Sequence, residues 1–196
     1  GYRDLSRLVL EGGSIETDGR GTIITTERCL CSGTRNPHLT KREIEDLLHT
    51  YLHVRSIWWL PAGYIEGDDT DGHVDTLVRF CGPDTIAYAS SENEKDIHFR
   101  GLKQMEEALI RLVEDTGRNY RLIPVSMPDP MWDEQGRRLP ATYLNFTILN
   151  GAVLVPVYGC TMDEEAIEVL APCFPHREMI GIYAGTLIKQ GGSVHC

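Results

Sequence analysis

His73-Val74-Asp75-Thr76-Leu77-Val78-Arg79-Phe80 runs into Cys81-Gly82-Pro83-Asp84 and out again as Thr85-Ile86-Ala87-Tyr88-Ala89. β-Branched and aromatic residues on both sides of a Gly-Pro-Asp turn predict two strands over 73–80 and 85–89. A helix follows over about 98–114, with Leu102, Met105, Leu109, Leu112 and Val113 on one face. Residues 120–125 then read as a third strand. The unit is strand–strand–helix–strand.

The same order appears on either side of it. Upstream, a strand-like run at 8–10 and the β-branched run 22–26 flank Gly19-Arg20-Gly21. Thr40-x-x-Glu43 is a capping box. It opens a helix over about 41–53, with Ile44, Leu47, Leu48, Tyr51 and Leu52 on its apolar face, and 56–60 closes the unit as a strand. Downstream, a Pro-rich loop covers 126–140. Residues 143–149 and 152–157 then flank Asn150-Gly151, a strong hairpin signal. A helix over 162–170 and a strand over 178–183 follow. The expected fold class is α/β, with units at about 8–60, 73–125 and 143–183 and the start of a further unit at 192–196. Repetition of one supersecondary unit indicates a solenoid or a propeller, and a helix in every unit excludes an all-β propeller.

The chain has 196 residues and a formal net charge of −10, with 41% hydrophobic and 24% charged residues. That composition belongs to a folded globular chain rather than a disordered one. No apolar run approaches the ~20 residues that span a bilayer. The acidic balance and the lack of a basic block argue against nucleic acid as a partner and are compatible with a cationic substrate. The six cysteines lie at 29, 31, 81, 160, 173 and 196. They are too sparse and irregularly spaced for a disulfide scaffold, and Cys29-Leu30-Cys31 is C-x-C rather than C-x₂-C. Reduced thiols in the cytoplasm are therefore expected. With Gly1 in place of Met and the chain closing on Gly191-Gly192-Ser193-Val194-His195-Cys196, the sequence reads as part of a longer protein.

The first strands of the units carry the candidate chemistry. Unit one offers Glu11 before two glycines, unit two His73-Val74-Asp75, and the last segment Cys196. Equivalent positions of repeats arranged in a ring converge, so these groups would share one site. His73 and Asp75, two apart on a strand, would face the same side. Each has a plainer reading: Glu11-Gly12-Gly13 as a turn, and the acidic 66–72 segment as a solvated loop lacking the spacing of a Ca²⁺ loop. His73-x-Asp75 could be half a metal site without an evident third ligand. His195, beside Cys196 on a predicted strand, would face away from it. His38, His49, His53, His98 and His176 read as surface residues, and Trp58, Trp59 and Trp132 as core or cavity wall.

Leu10-Glu11-Gly12-Gly13-Ser14-Ile15, Asn36-Pro37-His38-Leu39, Asp69-Thr70-Asp71-Gly72-His73-Val74-Asp75 and the final Gly191 to Cys196 segment, taken in order, resemble the agmatine deiminases. They also resemble the related bacterial-type peptidyl-arginine deiminases. Both belong to the guanidine-modifying superfamily, whose pentein fold is a five-bladed α/β propeller. The resemblance implies an incomplete set of blades here, with further blades expected before Gly1 and the rest of the last blade after Cys196. It implies Cys196 as nucleophile, His73 as general acid/base, and Glu11 and Asp75 as binders of the substrate guanidinium, with no cofactor and no metal. Asp68, Asp69 or Asp71 is a further candidate for the substrate's far amine, and Trp132 for its aliphatic chain. The family's additional guanidinium-binding Asp lies in an Arg-Asp motif upstream. Arg3-Asp4 sits too near Glu11 to be that motif and is not assigned to it.

Carboxylates accept the N–H pairs of a guanidinium, and resonance makes its carbon a poor electrophile that calls for a thiolate. The implied activity is hydrolysis of agmatine to N-carbamoylputrescine and ammonia, by a cytoplasmic enzyme that could form a homo-oligomer. Deimination of peptidyl-arginine or free arginine is the alternative. A metal-dependent hydrolase using His73 and Asp75, or a non-catalytic binding module, are the competing classes. This segment alone would expose open sheet edges and is not expected to be active in isolation.

Overall fold

The computed structural model describes residues 6–196, so Arg3-Asp4 lies outside the described residues. Three three-stranded sheets carry the same topology. The first holds β1 (Ile15–Thr17), β2 (Thr22–Thr26) and β3 (Ser56–Leu60), the second β4 (Val78–Gly82), β5 (Thr85–Ser90) and β6 (Arg121–Ser126). The third holds β7 (Thr147–Ile148), β8 (Ala152–Val157) and β9 (Glu178–Tyr183). In each sheet the first two strands pair antiparallel and the third returns parallel to the second. The return needs a crossover, and a helix supplies it each time: α2 (Lys41–Leu52), α3 (Phe99–Thr116) and α4 (Met162–Leu170). A four-residue helix, α1 (Glu27–Leu30), follows β2.

Local chemistry explains these boundaries. Thr40 and Glu43 form the expected capping box, with the Thr40 N–H donating to the Glu43 carboxylate at 2.8 Å. Gly117, at φ 62°, closes α3 in the left-handed region. β2 is buried on both faces, as a strand between two layers must be. Ile23 packs with Ile44 and Leu48 of α2, while Ile24, on the opposite face, joins the main core with Trp58, Leu77 and Phe80. Leu52, placed on the apolar face by its spacing, is instead 41% exposed at the end of α2. No helix among the described residues is long and apolar enough to cross a membrane.

Four expected strand segments are not strands, and each for a visible reason. Residues 8–10 are held by a side chain: Val9 N–H donates to Asn36 Oδ1 at 2.9 Å, and Asn36 Nδ2 returns to Val9 O at 3.1 Å. The first strand therefore begins at Ile15. Residues 74–76 form a 3-10 turn closed by Thr76 N–H to His73 O and Leu77 N–H to Val74 O. Across 143–146, the first part of the strand expected over 143–149, the carbonyls of Leu144 and Phe146 accept from the Arg79 guanidinium, at 3.0 and 2.6 Å, instead of from a neighbouring strand. Residues 192–196 are pinned to Asn145 and carry no strand.

Arg79 is the hub between sheets. It is 4% exposed, stacks over Phe146 at 4.5 Å and donates to Glu16 at 3.0 Å. Glu16 in turn accepts the Phe80 N–H at 3.0 Å. Burial pushes the Glu16 carboxyl up, and Arg79 opposes that shift. One buried ion pair thus joins β1, β4 and the segment before β7, and this junction aligns the loops that carry the candidate site. The described residues do not close into a barrel.

Candidate active site

Glu11, Asp69, His73, Asp75, His195 and Cys196 line one cavity of about 440 Å³ at the junction of the three sheets. The sequence reading placed His73 and Asp75 on a strand. The structure instead puts His73 at the N-terminal boundary of the 74–76 turn and Asp75 within it. The two side chains still meet the same wall, because an ideal Cβ on Gly13 would lie 2.5 Å from His73 Nδ1 and 2.9 Å from both Asp75 oxygens. Glu11-Gly12-Gly13 is itself a turn, with Ser14 N–H closing on Glu11 O at 3.1 Å. The plainer reading of that motif as a turn is the one seen, and the turn brings the backbone in, where a bare Cα at Gly13 leaves the imidazole and the carboxylate their space.

Asp75 is 1% exposed. Its Oδ2 accepts from His195 Nδ1 at 2.7 Å and from Asn145 Nδ2 at 3.2 Å. Its Oδ1 is buried with no hydrogen-bond partner among the described residues. A buried carboxylate oxygen left unpaired costs roughly 1–3 kcal/mol or more, so the site is built to receive a donor there. Glu11 Oε2 accepts from His73 Nε2 at 2.8 Å and from Arg35 Nε at 2.6 Å. The Arg35 guanidinium, and then the His73 ring, hold the Glu11 carboxyl below the usual carboxylate range.

Cys196 Sγ lies 3.2 Å from Asn145 Oδ1, which also accepts the backbone N–H groups of His195 and Cys196. Burial pushes the Cys196 thiol up and the Asp75 carboxylate adds to the shift, against an opposing hydrogen bond from the Ser193 backbone. Burial and the Asp75 charge thus both favour the neutral thiol over the thiolate. A bound cation would counter the Asp75 charge and favour the thiolate.

Of the acidic residues in the 66–72 loop, Asp68 is occupied by the Thr70 and Gly72 backbone N–H groups. Asp71 is taken by Arg35 at 2.7 Å. Asp69 makes no hydrogen bond among the described residues and packs against Gly191, whose φ of 84° and lack of a Cβ allow the approach. Trp132 is 58% exposed, stacked by Arg138 at 5.4 Å, and lines a separate cavity with Ile97 and Arg137. His98, expected at the surface, is 1% exposed. Asp96 and the Glu66 N–H satisfy its two ring nitrogens.

Three contributors went unread in the sequence. Arg35 ties Glu11, Asp71 and the Thr70 carbonyl into one frame. Asn145, fully buried, links Asp75 to Cys196. His195, which a strand would have turned away, is bonded to Asp75. The one available signal was Asn145 itself, a lone amide between the apolar residues Leu144 and Phe146 of a predicted strand. Ligand atoms of Glu11, Cys29 and His73 lie within 4.8 Å of one another and could hold a soft divalent ion. Arg35 already supplies the positive charge at Glu11, however, and burial pushes the Cys29 thiol up to about 11.

A thiol, an imidazole and two carboxylates thus line one cavity. The comparisons agree: residues 2–196 match the Porphyromonas-type peptidyl-arginine deiminase family, and the chain belongs to it. Agmatine deiminase of Medicago truncatula is 38% identical, over 96% of this chain and 56% of its own. A cysteine-to-serine variant of C. jejuni agmatine deiminase, solved with substrate bound, superposes with a TM-score of 0.90 at 39% identity, covering 96% of this chain and 54% of that one. Agmatine deiminase of Enterococcus faecalis gives 0.89 at 32% identity, over 96% and 56%. An amidinotransferase from Microseira wollei, at 15% identity and a TM-score of 0.54 over 90% of this chain and 40% of that one, shares the fold alone. The fold is thus α/β, of the pentein type. The chain spans about half the length of the relatives it matches.

Proposed function

We propose that this chain forms the greater part of the catalytic centre of an agmatine deiminase, within a pentein propeller of which 8–60, 73–125 and 143–183 are blades. The observation that carries this reading is the unpaired, buried Oδ1 of Asp75 in a cavity it shares with Cys196, His73 and Glu11. That oxygen needs an N–H donor, and a guanidinium brings N–H groups and the compensating charge together.

Asp75 and Glu11 hold the guanidinium. Its charge favours the Cys196 thiolate, which attacks the central carbon. His73 protonates the departing ammonia, leaving a thiouronium-type intermediate on sulfur. The same ring then takes a proton from water as it attacks, and collapse expels the thiolate to give N-carbamoylputrescine. Glu11, hydrogen-bonded to His73 Nε2, keeps the ring oriented for both transfers. Asp69, unpaired and acidic at the cavity edge, suits the primary ammonium at the other end of agmatine. Trp132 would reach the aliphatic chain only if its loop moved toward this cavity.

The substrate's far end discriminates among the alternatives. Free arginine brings a carboxylate there, which Asp69 would repel. Six free thiols suit the cytoplasm, and a homo-oligomer is in keeping with the reading. Ammonia release by the full-length protein, measured side by side on agmatine, arginine and a peptidyl-arginine, tests it. Agmatine should be preferred by at least about tenfold, the equivalent of one ion pair of ~1.4 kcal/mol. Equal rates on all three would remove the assignment, and loss of activity to a chelator would favour a metal-dependent hydrolase.

A further inference from the structure

His98 takes no part in the chemistry above, yet it stands behind the loop that carries Asp69. The residue caps α3, one position before Phe99, and is 1% exposed. Its Nδ1 donates to Asp96 Oδ1 at 2.7 Å, and its Nε2 faces the Glu66 backbone N–H at 2.8 Å. A backbone N–H can only donate, so Nε2 accepts and the ring proton sits on Nδ1. Burial pushes the ring's pKa down, against the pull of Asp96, which leaves Nε2 free to accept. The other charged neighbours are Arg138, whose guanidinium lies 3.4 Å from Asp96 Oδ2, and the Glu66 carboxylate, which accepts from the Tyr64 hydroxyl at 3.1 Å. Gly67 seals the junction, since a Cβ there would collide with the Arg138 carbonyl oxygen.

We propose that His98 is a positioning residue for substrate selection: by accepting the Glu66 N–H it fixes the 66–72 loop and so sets where Asp69 stands at the cavity edge. The inference rests on the reading above of Asp69 as the partner of the agmatine ammonium. The loop passes the constraint along its own backbone. Asp68 N–H donates to Ile65 O at 3.0 Å, and the Asp68 carboxylate accepts the N–H groups of Thr70 and Gly72 at 3.1 and 2.7 Å. Thr70 Oγ1 then accepts the His73 N–H at 3.1 Å. Asp69 lies inside this series, between Asp68 and Thr70.

The two side chains that this loop brings to the cavity differ in what else holds them. His73 has a second anchor in Glu11 at 2.8 Å, and Glu11 is itself fixed by Arg35 at 2.6 Å. Asp69 has only its backbone and its packing against Gly191. Releasing the Glu66 N–H therefore displaces Asp69 more than His73, and the consequence falls on the far end of the substrate rather than on the guanidinium. Two variants separate the two bonds of the ring. In His98→Asn the side-chain amide reaches Asp96 but falls short of Glu66. In His98→Gln, one carbon longer, the amide oxygen can stand where Nε2 did and accept the Glu66 N–H.

The test compares kcat/KM of the full-length protein for agmatine and for n-pentylguanidine, in which a methyl group replaces the ammonium. The agmatine preference should fall by about threefold or more in His98→Asn, within the roughly tenfold that one ion pair supplies, and should be largely kept in His98→Gln. Asp69→Asn should lower it as well, and adding His98→Asn to Asp69→Asn should lower it no further. Hydrogen exchange reads the link without turnover. The Glu66 amide should be protected in the wild type and in His98→Gln, and should exchange about fivefold or more faster in His98→Asn. A rapidly exchanging Glu66 amide in the wild type overturns the proposal with no variant needed. So does an agmatine preference that Asp69→Asn lowers and His98→Asn leaves unmoved. A preference that Asp69→Asn does not lower removes the Asp69 reading, and this inference with it.

Discussion

Gly12 and Gly13 are adjacent, yet their environments predict opposite outcomes for the same substitution. An ideal Cβ on Gly12 meets nothing within 4 Å, whereas one on Gly13 would lie 2.5 Å from His73 Nδ1 and 2.9 Å from each Asp75 oxygen. Carbon and nitrogen sit comfortably at ~3.5 Å, so Gly13→Ala must displace the imidazole by about 1 Å. Asp75 cannot yield instead, because His195 and Asn145 hold its other oxygen. The overpacking costs about 1–3 kcal/mol of stability. A misplacement of about 1 Å at reacting groups costs roughly 10²-fold in rate. In the full-length enzyme, Gly13→Ala should therefore lower kcat/KM for ammonia release from agmatine by about a hundredfold. Melting temperature should fall by only a few degrees. Gly12→Ala should stay within about twofold of wild type, with its small gain in backbone rigidity. The assays are steady-state ammonia release and thermal melting on both variants. Equal kcat/KM for the two variants would refute the reasoning, since it would mean that the Gly13 approach does not position His73.

Further outcomes follow from the same geometry. Asn145→Ala leaves the Cys196 N–H without its acceptor and Asp75 with one donor fewer; at about 1–3 kcal/mol for each lost bond, chemical denaturation should show a loss of roughly 2–6 kcal/mol. Alkylation of Cys196 by a haloacetamidine should then lose its protection by agmatine. Arg79→Met strands the buried Glu16 carboxylate and should cost about 3–5 kcal/mol in the same measurement, while the double change Glu16→Gln with Arg79→Met should recover part of it. Arg35 is the largest influence holding the Glu11 carboxyl down. The Glu11 ion pairs are therefore present above the ordinary carboxylate pKa and are lost as pH falls through the depressed one. In Arg35→Gln that loss should begin at higher pH, seen as an acid limb of kcat/KM displaced upward; an unmoved limb would exclude Arg35 from that role.

Periodicity made most of the scaffold legible. The helices at 41, 99 and 162 begin within a residue of where apolar spacing and the Thr40 box placed them, because each buries one face against its own sheet. Strands paired on both sides, such as β2 and β8, were equally plain. The segments that carry the site were not. Residues 8–10, 143–146 and 192–196 take strand positions in the repeat, yet side chains from distant positions satisfy their backbones, Asn36, Arg79 and Asn145 in turn, while 74–76 closes on itself in a 3-10 turn. Long-range side-chain-to-backbone bonds leave no period in a sequence. The same blindness hid Arg35, Asn145 and the His195–Asp75 contact, whereas Glu11, His73, Asp75 and Cys196 stood out because their motifs recur in order. His98 was misread for a related reason: its partners Asp96 and Glu66 become a buried site only once the loop before α3 folds over.

Attack by Cys196 on the guanidinium carbon is the centre of this account, and a trapped intermediate tests it most directly. Intact-mass and peptide analysis of the full-length protein, acid-quenched during turnover of agmatine, should find an adduct on Cys196 equal to agmatine less ammonia. It should form more slowly in His73→Ala, which lacks the acid that releases ammonia, and be absent in Cys196→Ser along with ammonia release. Steady ammonia release from Cys196→Ser at the wild-type rate, with no adduct on any residue of the wild type, would contradict the account.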